Sequence, residues 1–236
     1  MDRAALIDVL EHTWPAETRD VAGRFIFRRS KGGGKRVTAT SVMGDVSTAE
    51  IAQAEARMVE MGQDRLFTVD PDCETDPVLA EMGYQTLDET LLFNCPVDHL
   101  TRCEVPRVTA FPCWPPLALT TDIWAESGIG ADRVAVMERV NGPKTAILGR
   151  VNDRAAGAVF AAVHAGCGMI HSLEVLPFQR RNGLATHLTV AAAHWAADQG
   201  ATDFALPAVA ANAPACALYR SLGMVSVARY HYRIKQ

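Results

Sequence analysis

Between residues 168 and 199 the chain changes its period once. GMIHSLEV (168–175) is a short β-prone run, LPFQRRNG (176–183) ends in the turn pair Asn182-Gly183, and a helix-forming stretch runs from about Gly183 to Gln199 with Gly200 beyond it. A strand that passes through a glycine loop into a long helix is the unit from which α/β and mixed sheets are built. The rest of the chain keeps this alternation. Strands are expected at 66–69, 84–93, 144–151, 156–164, 203–209 and 225–234, and helices at 2–11, 47–61, 77–82 and 213–222, with two short helices around Gly128 and Gly130. The β-prone segments 24–29 and 36–42 flank SKGGGK, whose glycines suit a hairpin turn. We therefore read the chain as α/β with a mixed α+β sheet.

Five prolines between Cys95 and Pro116 mark the best candidate for a connection, with a boundary near residue 105. A faint internal echo spans that boundary. In EARMVEMGQDRLFTV and HWAADQGATDFALPA a helix, a glycine and an apolar strand follow one another, and VLAEMGYQTLDETLLF and LYRSLGMVSVARYHYR repeat the order. Gly62 and Gly200 lie 138 positions apart, Gly83 and Gly223 140. Such spacing suits a duplicated unit, although helix-glycine-strand is also a common local pattern.

The loop at 176–183 invites an anion. The first four amides of a helix have no carbonyl partner, and the macrodipole adds about half a positive charge there. Gly183 leaves the backbone open to close approach, and Ala185 keeps the next contact small. Arg180 and Arg181 could then reach outer phosphate oxygens. Without context the same residues are also an ordinary solvated turn. The 23 basic and 27 acidic side chains give a net charge of −4, so no basic field exists to hold a nucleic acid.

The longer stretch narrows the choice. Val175-Leu176-Pro177-Phe178-Gln179-Arg180-Arg181-Asn182-Gly183-Leu184-Ala185 resembles the acyl-CoA-binding signature of the GCN5-related N-acetyltransferase (GNAT) family, V-x-P-x-x-R/Q-x-x-G-x-G/A. Downstream, Asn212-Ala213-Pro214-Ala215-Cys216-Ala217-Leu218-Tyr219-Arg220-Ser221-Leu222-Gly223-Met224 is similar to the family's N-x-x-A-x-x-L-Y-x-x-x-G-F/M segment. The resemblance covers roughly residues 106–236.

It implies a catalytic domain at 106–236 whose mixed sheet is splayed around the pantetheine arm of acetyl-CoA, the co-substrate. Residues 1–105 would form a smaller, degenerate GNAT-like subdomain without catalysis, because Leu79 stands where Tyr219 does and the phosphate loop is missing. By the same resemblance Leu173 and Val175 pair with the arm. The amides from Arg181 through Asn182, Gly183, Leu184 and Ala185 to Thr186 hold the diphosphate, with Arg180 outside them. Asn212 and Ala215 contribute from the second motif, Asn212 contacting the arm or holding its loop. Tyr219 would place its hydroxyl near the thioester sulfur as an acid; an aromatic core residue is the competing reading.

The base is left open among Glu174, His171 and water. With period two, His171 shares a face with Leu173 and Val175 and Glu174 takes the other, so only one enters the site unless a bulge intervenes. Many family members carry a glutamate on the fifth strand, where this chain reads Leu206-Pro207-Ala208-Val209. The acceptor pocket is expected to involve Trp124, Glu126, Met137, Tyr230 and Tyr232.

The expected activity is transfer of an acetyl group to a primary amine on a small molecule or peptide; a catalytically silent CoA-binding module is the alternative. SKGGGKR fails as a P-loop, because Arg29 and Arg36 stand where glycine and Ser/Thr are required. No histidine spacing suggests a metal, and the six cysteines form no CxxC pair and suit small buried positions in a reducing compartment. The N-terminus lacks a signal-peptide pattern and no window is apolar enough to span a membrane, so a soluble, cytoplasmic protein is expected. Dimer formation is left open.

Overall fold

The computed structural model describes residues 1–235. The chain runs α1 (Arg3–Thr13), β1 (Thr18–Ala22), β2 (Phe25–Arg29), β3 (Thr40–Val42), α2 (Thr48–Glu60), β4 (Arg65–Val69), α3 (Thr75–Glu81) and β5 (Gln85–Pro96). It continues through α4 (Val97–Thr101), β6 (Ala110–Cys113), α5 (Ala118–Glu126), α6 (Ala131–Glu138), β7 (Lys144–Val151), β8 (Arg154–His164) and β9 (Cys167–Val175). The last elements are α7 (Leu184–Asp198), β10 (Asp203–Val209), α8 (Ala213–Ser221) and β11 (Val225–Lys235).

All eleven strands belong to one sheet, in the order β1-β2-β3-β4-β11-β5-β10-β9-β8-β7-β6. The C-terminal strand β11 lies between β4 and β5 of the N-terminal half, and β5 lies between β11 and β10 of the C-terminal half. Each half thus lends its last strand to the other. β3 runs parallel to β4 and β9 parallel to β10, so the order reads alike from both ends toward the central pair β11 and β5. Gly62 and Gly200 follow α2 and α7, and Gly83 and Gly223 follow α3 and α8, all four with φ between 68° and 86°. The boundary near residue 105 falls between α4 and β6, in the connection leaving β5, but the sheet itself is continuous across it.

Three strand-level expectations change. The glycines of SKGGGK do not turn a tight hairpin. β2 and β3 do pair antiparallel, with Phe25 opposite Val42, but ten residues join them and include a 3₁₀ turn at Lys35–Val37. The glycines instead allow close packing on α6, where a Cβ on Gly33 would come within 2.7 Å of the Val136 side chain. β1 and β6 are additional edge strands: TRDVA is mostly exposed and AFPC contains a proline, so neither shows an alternating apolar face.

α7 lies across the sheet under its own apolar residues, and Leu184, Leu188, Val190, Ala192, Ala193 and Ala196 are all buried. Burying Leu184 and Leu188 alone contributes about 3–6 kcal/mol at most. The close approach needs glycine on the sheet. A Cβ on Gly168 would stand 2.4 Å from the Ala196 methyl, and one on Gly157 3.0 Å from Leu184. This packing fixes where the N-terminus of α7 points.

Candidate active site

β9 and β10 pair only at their starts, from Asp203 opposite Cys167 to Ala205 opposite Met169. Beyond that, β9 continues with β8 as far as Val175 opposite Gly157, while β10 continues with β5 as far as Val209 opposite Thr90. The two parallel strands therefore part, and a cleft of about 980 Å³ opens between Ile170–Val175 and Leu206–Val209. Pro207 is tolerated in this central strand because its β9 side has lost its ladder partner.

The N-terminus of α7 closes one end of the cleft. Gly183 is its N-cap in the left-handed region at φ 75°, no side chain caps the helix, and no acid lies in its first turn. Its first amides are free to meet an anion. The corresponding helix of the other half, α2, has both features that α7 lacks. Ser47 caps it, and Glu50 completes a capping box with a carboxylate in its first turn. That end is satisfied and negatively charged, which is why residues 1–105 hold no second phosphate loop.

Arg180, Arg181, Gly183, Leu184, Ala185 and Thr186 line the cleft, with Leu173, Val175, Asn212 and Ala215. Asn182 does not. Its side-chain amide donates to the Gln179 and Arg180 carbonyls, which shapes the loop, so its role is positional. Arg180 donates from Nε to the Val175 carbonyl at 3.0 Å, and part of its guanidinium is committed to the loop. Arg181 adopts φ 65°, a strained choice for a non-glycine residue next to Gly183. The Asn212 side chain accepts from the Ala215 amide at 3.2 Å and caps α8, the loop-holding role.

Glu174 and His171 both face the cleft, because the bulge that sequence left conditional is present. Ala158 opposes Glu174 but Phe160 opposes His171, one residue against two, and Ser172 takes up the difference at φ 53°. Bulges commonly re-aim side chains beside active sites. The two residues differ in what they can do. His171 is buried between Thr13 and Arg36. The Thr13 hydroxyl already donates to the Val9 carbonyl at 2.7 Å, so it accepts from His171 Nε2 at 2.9 Å. Arg36 donates to Nδ1 at 3.2 Å. With both nitrogens engaged, and burial and then the Arg36 charge pushing its pKa well below the usual histidine value, His171 is a neutral structural link. Glu174 is half-buried. Burial lifts its carboxyl above the ordinary range, against the Ser127 hydroxyl and the guanidinia of Arg180 and Arg133.

Tyr219 lies across the cleft on α8, 6% exposed, with its ring 5.7 Å from Phe93. Its hydroxyl has no hydrogen-bond partner among the described residues. Burial, then Cys216 and Glu174, pushes its pKa up to about 12, so the phenol keeps its proton at any physiological pH.

The expected acceptor pocket needs correction. Trp124 and Met137 are completely buried core residues, with Trp124 Nε1 tied to the Ser172 carbonyl at 2.8 Å, and Glu126 is exposed outside the cleft. Tyr230 lines only a smaller cavity behind it. Tyr232 does line the cleft, but the α5–α6 loop and α6 contribute Ile129 and Arg133 instead. Sequence reasoning missed the N-terminal half of the wall, which is Trp14, the 33–36 segment and Asp88. The available signal was SKGGGKR itself, basic and glycine-rich with no assigned task.

The cysteines also differ from expectation, since Cys103 is exposed and Cys73 and Cys113 are half-buried. No described helix is long and apolar enough to cross a membrane. Asp8, His12 and His164 meet on the surface with their ligand atoms within 4.8 Å of one another. The two imidazoles stack 3.8 Å apart at 5°, so their in-plane lone pairs do not converge on one ion.

A mixed sheet parted between two parallel central strands, with an uncapped helix N-terminus at the mouth of the gap, defines the class of acyl-CoA N-acyltransferases. Residues 108–224 match the model of the acetyltransferase (GNAT) family, and through that segment the chain belongs to this family. A GCN5-related N-acetyltransferase from Kribbella flavida superposes with a TM-score of 0.75 at 18% identity, covering 100% of this chain and 96% of that one. A functionally unknown conserved protein from Staphylococcus epidermidis gives 0.73 at 11% identity, covering 94% of each. A tandem GNAT protein from the clavulanic acid biosynthesis pathway gives 0.57 at 14%, covering 84% of this chain and 74% of that one. No curated protein sequence matches the chain.

Proposed function

We propose that the protein is an acetyl-CoA-dependent N-acetyltransferase that acts on a primary amine by direct attack on the thioester. The observation that carries this reading is the parting of β9 and β10 into a cleft that has free helix amides at one end and Tyr219 and Glu174 at its walls. The co-substrate fits the donors present. The diphosphate would meet the amides at the start of α7, and the pantetheine arm would take up the ladder positions that β9 loses at Leu173 and Val175.

Attack requires a neutral amine. Glu174, directly or through a water, takes one proton from the ammonium, and a carboxylate lifted by burial is the better base for it. The amine nitrogen then bonds to the thioester carbon and the carbon–sulfur bond breaks. Tyr219 donates a hydrogen bond to the departing thiolate, and the second amine proton passes to sulfur to give free CoA and the amide. Full transfer from Tyr219 would be uphill, since its pKa of about 12 exceeds the roughly 8.5 of a cysteine thiol. Its role is therefore to stabilise the leaving group rather than to lose its proton.

Residues 1–105 supply no second site and instead wall the acceptor end. Pro207 leaves β10 without an acid in the cleft, which favours one competing reading, a CoA-binding module without turnover. Isothermal titration with acetyl-CoA, followed by thiol release with and without amines, separates the cases. Absence of binding near millimolar ligand refutes both. Binding with neither hydrolysis nor transfer leaves only the module.

A further inference from the structure

The acceptor end of the cleft carries more positive charge than it neutralises. Five charged side chains face it apart from the two arginines of the phosphate loop: Lys35, Arg36 and Arg133 against Asp88 and Glu174. Lys35 Nζ and Asp88 cancel in an ion pair at 2.7 Å. Asp88 reaches it from a left-handed position, φ 47°, at a bulge in β5. Glu174 remains to receive the amine. Arg133 has no carboxylate within ion-pair distance among the described residues, and its guanidinium stands over Gly34, where a Cβ would come within 3.6 Å of it. Arg36 donates one bond to His171 and stands beside the Tyr230 and Tyr232 hydroxyls, while its Nε has no hydrogen-bond partner among the described residues.

A guanidinium short of acceptors is costly to keep beside a cleft, and a ligand anion in that cleft would supply acceptors to its accessible N–H groups. Arg36 is not placed to serve the diphosphate. Arg36 meets β9 at His171, four residues before Val175, or about 13 Å up the strand from the phosphate loop. Once Lys35 and Asp88 cancel, two cations remain against one anion. That balance matches a zwitterion whose ammonium faces Glu174 and whose anion faces the guanidinia. A phosphate dianion would balance the same two guanidinia, so the anion is distinguished by titration with phosphoethanolamine.

Resting on the acetyltransferase reading above, we infer that the acceptor is a small amino acid-like compound, an amine that also carries a carboxylate, and that Arg36 and Arg133 bind this carboxylate and set acceptor specificity. The SKGGGKR segment is then part of the acceptor site, contributed by the half of the chain that binds no CoA.

The test is isothermal titration of the CoA-saturated protein with matched pairs: glycine and methylamine, leucine and isopentylamine, phenylalanine and phenethylamine, lysine and cadaverine. Phosphoethanolamine distinguishes the anion. At least one carboxylated member should bind about tenfold or more tightly than its amine, and steady-state transfer should show the same preference in KM. Arg133→Gln should remove that preference. Because Arg36 is half-buried and tied to His171, and its loss could impair folding, Arg133→Gln is the primary variant, and acetyl-CoA affinity in the same sample reports that the site is intact. If no carboxylated compound outbinds its amine, or if phosphoethanolamine outbinds all of them, the inference is overturned while the acetyltransferase reading stands. If acetyl-CoA itself fails to bind, it is that reading which falls.

Discussion

Replacing Tyr219 with phenylalanine tests the central chemical claim, because the structure separates its effect on rate from any effect on stability. The hydroxyl has no partner among the described residues, so removing it leaves none of them unsatisfied and keeps the ring against Phe93. The melting temperature of Tyr219→Phe should stay within about 2 °C of the parent. The rate should not be spared. A hydrogen bond to a charged group is worth about 1.5–3 kcal/mol, and at 1.36 kcal/mol per factor of ten the loss becomes roughly 10- to 150-fold in kcat. Acetyl-CoA affinity should change little, because the thioester sulfur carries little charge before the bond breaks. The assay is CoA thiol release at saturating acetyl-CoA, with and without an accepted amine. Its pH dependence adds a second reading: with the phenol at about 12, no alkaline limb below pH 10 belongs to Tyr219, so the variant and the parent should share the same high-pH profile. A fall in kcat under threefold, or an alkaline limb that vanishes in the variant, would refute the assignment.

Three further outcomes follow from the same geometry. Gly183→Val should weaken acetyl-CoA binding more than Arg180→Ala or Arg181→Ala, because φ 75° is costly for a β-branched residue and the amides provide the main grip; equal dissociation constants would count against the cradle. Glu174→Gln should abolish the rise of activity with pH above the ordinary carboxylate range, since the base works only once its raised pKa is passed, whereas His171→Asn should keep that rise in a pH–rate profile because His171 is already neutral there. Asp76 joins α3 to β11 through Arg233 and His231, bonds that outweigh desolvation and hold its carboxyl below the ordinary aspartate range. Its contribution is therefore present above about pH 4 and lost as pH falls through the lowered value. Asp76→Asn should lower the melting temperature at pH 7 by about 2–8 °C and leave less acid-induced loss, read by calorimetry across pH 2–7.

The sequence by itself determined the class of the chain and the helix N-terminus at the mouth of its cleft. β7, β10 and α7 were legible because each is a long run of one period, and the loop at 176–183 because a helix N-terminus has its chemistry built into a few consecutive residues. Even the conditional bulge in β9 was legible as a condition, since His171 and Glu174 differ by an odd number of positions. What only the tertiary structure decided lies where distant segments meet. The exchange of β5 and β11 leaves no local mark, because a strand's own residues specify that it is buried and not which strand buries it. Edge strands β1 and β6 lack the one-sided burial that writes alternation into sequence. The proposed acceptor wall draws Arg36, Asp88, Arg133 and Glu174 from four separate elements, and the fate of His171 turned on Thr13 and Arg36, 158 and 135 residues away. Charge pairing and desolvation depend on through-space distance, and that is fixed only when the two halves close into one sheet.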